Sequence, residues 1–174
     1  VAAAALLRTR VPNLRILCFG EGATEHAVRE QVTHLGLQEV VFLHPPLPQE
    51  ELMTVIRVAG AVVLPAPRGE GFGRVLAEAM LLERPVITSN IGGALDFVVG
   101  GQTGLLVAPR DAVSLADAIE RLSQETMLAA TLGKKGRAFV RSRFSIERIA
   151  ATWESYFEKL LKEKRGAARS AQTL

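Results

Sequence analysis

The chain has 174 residues, 48% of them apolar and 22% charged, the balance of an ordinary globular protein with one substantial core and no room for a second full domain. No apolar run reaches the ~18–20 residues that a transmembrane helix needs. The net charge of +3 is carried by residues 162–174 alone (Lys162, Lys164, Arg165 and Arg169 against Glu163), and only 5% of residues are aromatic, which argues against a nucleic-acid partner.

Val1 to Leu7 is apolar but lacks the basic lead-in and cleavage site of a signal peptide. It reads as a helix entered part-way, and the absence of a starting Met fits a fragment of a longer protein. Leu14 to Phe19 is a predicted strand ending at Gly20. It contains the single Cys18, which excludes an internal disulfide and suits a reducing compartment, the cytoplasm. An apolar strand around it predicts an inert, buried thiol. Thr24 to Leu35 reads as a helix ended by Gly36, and Val40 to Leu43 as a second strand stopped by His44-Pro45-Pro46. Gln49 to Ala59 is a helix with Leu52, Val55 and Ile56 on one face, and Ala61 to Leu64 is a third strand.

A helix from about Phe72 to Leu82 follows, then Arg84-Pro85 and a strand Val86 to Thr88. Gly92-Gly93 and Gly100-Gly101 bracket a short helical stretch around Ala94 to Val99, and Leu105 to Val107 is the next strand. Asp111 is placed to cap a helix that carries Leu115, Ile119 and Leu122 as a stripe. A helix over about Glu125 to Arg141 and a last one carrying Ile146, Ile149, Trp153, Tyr156, Phe157 and Leu160 complete the domain, taken as residues 1–165, with a flexible basic tail at 166–174. Short apolar runs alternating with amphipathic stretches predict an α/β fold with a parallel sheet flanked by helices.

Two glycine-rich turns follow strands. Gly20-Glu21-Gly22 precedes a helix, but the third glycine of a dinucleotide fingerprint is missing and no acid ends the next strand, so a plain strand-to-helix turn is the favoured reading. The other turn, residues 70–78, reads Glu-Gly-Phe-Gly-Arg-Val-Leu-Ala-Glu. It joins backbone N–H groups, a helix start and two carboxylates, Glu70 and Glu78. A helix start attracts anions through its unpaired N–H groups and positive dipole end. The acids suit hydrogen bonds to ribose and sugar hydroxyls, and the turn lies at the carboxyl end of a predicted parallel strand, where open α/β sheets bind ligands. The combination suggests a nucleotide-sugar site, although Arg74 and Glu78 also fit an ordinary i,i+4 pair.

The ordered series Glu70 to Met80, Arg84-Pro-Val-Ile87, Gly92-Gly93 and Thr103-Gly-Leu-Leu-Val107 resembles the family-4 retaining glycosyltransferases of GT-B fold, whose signature is Glu-x7-Glu. The resemblance covers nearly the whole chain. It implies the Rossmann-like C-terminal half of that fold, binding a nucleoside-diphosphate sugar without a metal or other cofactor. It implies that Glu70, as the catalytic-site acid, contacts donor-sugar hydroxyls, that Glu78 binds the ribose, and that the amides of Gly71, Phe72 and Gly73 face the sugar and diphosphate. Leu43 and His44 lie where the family packs the nucleotide base, His44 replacing a usual small residue; a loop-packing role for His44 stands beside that one.

Departures from the pattern are larger elsewhere. The Gly-Arg and Lys segment that binds pyrophosphate, the first strand of the nucleotide-binding domain and the acceptor-binding domain have no counterpart in these residues. Asp96 stands where a Glu is usual, and Ala66 where a Ser is frequent. The resemblance therefore implies the donor-binding half of an enzyme that moves a hexose to an acceptor hydroxyl of a saccharide, lipid or small molecule with retention, and a chain inactive by itself. Two alternatives remain at this point: a non-catalytic donor-binding module serving a separate acceptor-binding chain, and a nucleotide-sugar epimerase or hydrolase. A nicotinamide-dependent dehydrogenase is disfavoured by the broken Gly20 fingerprint.

Overall fold

The computed structural model describes residues 1–68 and 71–171, without the side chains of 165–171. The chain forms two compact units, Val1–Phe139 and Val140–Leu174. The first holds α1 (Ala2–Leu7), β1 (Ile16–Phe19), α2 (Glu25–His34), β2 (Val41–His44), α3 (Gln49–Val58), β3 (Val62–Leu64), α4 (Arg74–Leu81), β4 (Val86–Ser89), a 3-10 turn (Gly93–Asp96), β5 (Leu105–Val107) and α5 (Ala112–Gln124). The helix α6 (Thr126–Arg143) crosses the division, and α7 (Ile146–Ala171) lies in the second unit. The tail expected at 166–174 falls on the end of α7 and on residues 172–174, which lie outside the described residues.

All strand pairing is parallel, and the fold is the expected α/β arrangement with helices between strands. The sheet is not continuous. One ladder is β1-β2, with Ile16 opposite Val41 and Phe19 opposite His44; the other is β3-β4-β5, with Val63 opposite Ile87 and Ile87 opposite Leu105. Among the described residues, no strand joins β1 to β3. The central β4 is buried throughout, as a strand flanked on both edges and covered on both faces must be. By contrast β1 leaves Leu17 47% exposed and Cys18 exposed, which corrects the expectation of a buried thiol. The apolar run is a strand, but among the described residues it pairs only with β2, and its Leu17 and Cys18 are exposed.

The main core lies under β4 and β5: Ile87, Leu105 and Val107 pack with Leu122 of α5 and Leu132 of α6. A second cluster, Ala4, Val32, Leu37 and Val41, covers the β1-β2 ladder. The opposite side of α1 packs on α5 through Ala3, Leu7 and Ala116. That contact ties the two ladders into one unit. It is reinforced by Arg10, which donates to Glu120 (Nε to Oε2, 2.9 Å) and to Asp117 (Nη2 to Oδ1, 2.6 Å). The two carboxylates, Glu120 foremost, hold the guanidinium protonated more firmly than usual.

In the second unit, α7 presents Ile146, Ile149, Trp153, Tyr156, Phe157 and Leu160 at helical spacing, all exposed. The Trp153 and Phe157 rings stack at 5.7 Å. No helix among the described residues is long and apolar enough to cross a membrane.

Candidate functional site

The 70–78 turn begins where β3 ends. Ala66 is buried and donates its N–H to the Leu64 carbonyl at 3.0 Å, folding the chain sharply after the strand. Gly69 and Glu70 lie outside the described residues, and so does the role expected of Glu70. Gly71 and Phe72 are exposed, and Gly73 caps α4 with φ 69° and ψ 51°. Such left-handed angles are accessible to glycine at little cost and cannot continue a right-handed helix. This is why α4 starts at Arg74 rather than at the expected Phe72. Among the described residues no side chain caps α4; the Leu76 N–H is taken by the Gly73 carbonyl at 2.9 Å, and the Arg74 and Val75 N–H groups stand ahead of it at the helix start.

The loop is held from behind by the 3-10 turn and the residues after it. The rings of Phe72 and fully buried Phe97 meet at 4.8 Å. Gly73 sits against Leu64, Leu76 and Ala94. Gly71 and Gly93 approach so closely that a Cβ on Gly93 would lie 2.3 Å from the Gly71 carbonyl oxygen. Phe97 is itself fixed by Thr103, a buried residue whose hydroxyl donates to the Phe97 carbonyl (2.9 Å) and accepts from the Val99 N–H (2.8 Å). Nothing local in the sequence marks Phe97 or Gly93 as backing this loop; only the Gly92-Gly93 pair hints at a close approach.

On α4, Glu78 is 18% exposed and receives Arg74 Nε at 3.4 Å, whereas Arg74 is 79% exposed. One side chain is thus shielded against the helix and the other swings in solvent. Leu43 and His44 lie at the end of β2, in the other ladder. Leu43 is half-buried and packs on the core around Val41, while exposed His44 stacks on Phe19 across the ladder at 5.3 Å with rings 20° apart. The structure joins Gly71, Phe72, Gly73 and Glu78 in one loop-and-helix unit; among the described residues no strand pairing links Leu43 and His44 to it. Gly20, with φ 144°, donates its N–H to the His44 carbonyl at 3.1 Å, which extends the parallel β1-β2 ladder by one bond before the chain turns toward α2. Among the described residues, no three of His, Cys, Asp and Glu gather as a metal ion would require.

The model of the family described as glycosyl transferases group 1 matches residues 1–139. The capsular polysaccharide biosynthesis glycosyltransferase CapM of Staphylococcus aureus is 36% identical over 158 residues, covering 88% of this chain and 40% of CapM. Among solved structures, the sucrose-phosphate synthase of Thermosynechococcus elongatus superposes with a TM-score of 0.81 at 31% identity, over 93% of this chain and 42% of that one. HepE of Anabaena, solved in complex with UDP-glucose, superposes with a TM-score of 0.78 at 27% identity, over 88% and 44% of the two chains. The chain thus spans at most about two fifths of the length of the curated relatives it matches.

Proposed function

The chain belongs to the glycosyl transferases group 1 family, and on that premise we propose that it is the donor-binding half of a retaining glycosyltransferase of the family-4 type. Its substrate is a nucleoside-diphosphate sugar, as the UDP-glucose bound by HepE supports. The reaction breaks the bond between the anomeric carbon and the diphosphate, and forms one to an acceptor hydroxyl on the same face of the sugar. The acceptor, a saccharide, lipid or small molecule, is held by residues outside these 174.

The roles follow the chemistry of each group. The amides of the Gly71–Gly73 loop and the start of α4 receive the diphosphate, whose developing charge is stabilised by fixed dipoles without a metal. Glu78 accepts from ribose hydroxyls, Glu70 orients the sugar, and Leu43 and His44 flank the base. The reaction is a cytoplasmic one, and the 174 residues alone do not turn over. The observation that carries the reading is the exposed Gly71–Phe72 loop leading into the start of α4 after β3, where the N-cap Gly73 has no side chain to compete with a ligand, with the shielded Glu78 on that same helix.

A thermal-shift and calorimetric panel of UDP, GDP and ADP tests it. At least one diphosphate is expected to stabilise the chain and to lose at least tenfold in affinity in Glu78→Ala. Equal binding in the two proteins removes Glu78 from the ribose role, and no binding by the unaltered chain overturns the donor-site reading. Normal glycosyl transfer by the 174 residues alone overturns the need for a second half.

A further inference from the structure

We infer that Gly93 is a positioning residue for the donor loop, setting the orientation of the Gly71–Phe72 peptide; this rests on the donor-site reading above. A Cβ built on Gly93 lies 2.3 Å from the Gly71 oxygen but 3.0 Å from its carbon, so the carbonyl is turned toward Gly93. The peptide is trans, and in a trans peptide the N–H of the next residue is antiparallel to the carbonyl. The Phe72 N–H is therefore turned to the side away from Gly93. On the loop itself, a Cβ added at Gly71 would meet nothing within 4 Å among the described residues, and Phe72 is 41% exposed.

Two further contacts make the backing rigid. The Phe72 ring rests on Phe97 at 4.8 Å, and Gly73 fits against Ala94, the residue after Gly93. The short turn that carries Gly93 thus touches all three loop residues, directly or through Phe97. Only a glycine at position 93 lets the backbone come this close, because any side chain there displaces backbone rather than a flexible side chain. An alanine would rotate the Gly71–Phe72 peptide and take its N–H out of line with a diphosphate oxygen, while the base and ribose contacts, made elsewhere, keep their geometry.

The test compares the unaltered chain with Gly93→Ala, Phe97→Leu and Gly101→Ala, titrated with the tightest diphosphate of the panel and with the matching nucleoside monophosphate. Gly101 is the control: it has φ 73°, so alanine strains it, but a Cβ there meets nothing and it lies outside the loop's backing. Gly93→Ala is expected to lose at least tenfold in diphosphate affinity and less than threefold for the monophosphate. Gly101→Ala is expected to lose thermal stability and neither affinity. Should Gly93→Ala fail to fold, Phe97→Leu gives the answer, with an expected three- to tenfold loss confined to the diphosphate. An unaltered chain that binds no diphosphate fails the donor-site reading and the positioning role with it. A chain that binds diphosphate equally well with and without the substitutions overturns the positioning role alone, as does a parallel loss for both ligands.

Discussion

Arg74 and Glu78 face each other one turn apart on α4, the cation in solvent and the carboxylate mostly shielded, 3.4 Å between Nε and Oε1. The order is the less favourable one for a helix, with the cation at the positive end of the dipole. An exposed i,i+4 pair contributes ~0.3–0.5 kcal/mol at most, and here the dipole offsets part of it. Arg74→Ala is expected to change the unfolding free energy by less than about 0.5 kcal/mol in urea titrations. A larger loss would mean that the pair holds the helix, and that binding defects at Glu78 cannot be separated from stability.

Thr103 is the buried support behind the loop. Its hydroxyl makes two bonds, and Thr103→Val removes both while keeping the shape of the side chain. The Val99 N–H and the Phe97 carbonyl then lose their partner, at a cost of about 1–3 kcal/mol. Thr103→Ser keeps the hydroxyl and is expected to retain most of the stability. Equal midpoints for the valine and serine variants would show that the hydrogen bonds are not what matters.

Asp111 caps α5, its Oδ1 accepting from the N–H groups of Val113 and Ser114. The Ser114 N–H, first among these bonds, lowers its pKa below the ordinary aspartate value. Fewer protons bind in the folded state, so the stabilisation is complete above about pH 4 and is lost as pH falls through the lowered value. Asp111→Asn keeps a cap without the titration, and is expected to lack this segment of acid dependence in thermal melts. Identical acid limbs for the two proteins would place the titration elsewhere.

Cys18 is reachable from solvent, but its partial desolvation raises the thiol pKa. The folded chain is expected to react to completion with Ellman's reagent, more slowly than the urea-unfolded chain at pH 8. The gap should narrow as pH rises past the shifted value, because the thiolate is the reacting form. A folded chain that does not react at all would contradict the open edge of β1.

Local signals carried far in this chain. The strand Leu105–Val107 and the Asp111 cap follow directly from side-chain type and spacing. The loop and Glu78 were legible because glycines, a helix start and an acid stand within a few residues of each other. What stayed hidden is non-local. The break between the two ladders, the exposure of Leu17 and Cys18, and the backing of Gly71 by Gly93 depend on what lies beside a segment in space, and an apolar run looks the same with or without a neighbour. α4 starts two residues after its side-chain pattern does because Gly73 takes a left-handed conformation, which a helical pattern of side chains does not record.

The Arg10 clamp reaches across 107 and 110 residues of chain, to Asp117 and Glu120. Contacts of such sequence separation close longer loops than the pairing of β3, β4 and β5 does, and so lower the folding rate more than the stability. Arg10→Ala is expected to raise amide exchange in α1 and the β1-β2 ladder before it does so in β4, which is buried throughout; equal increases in both would show that the clamp does not separate them.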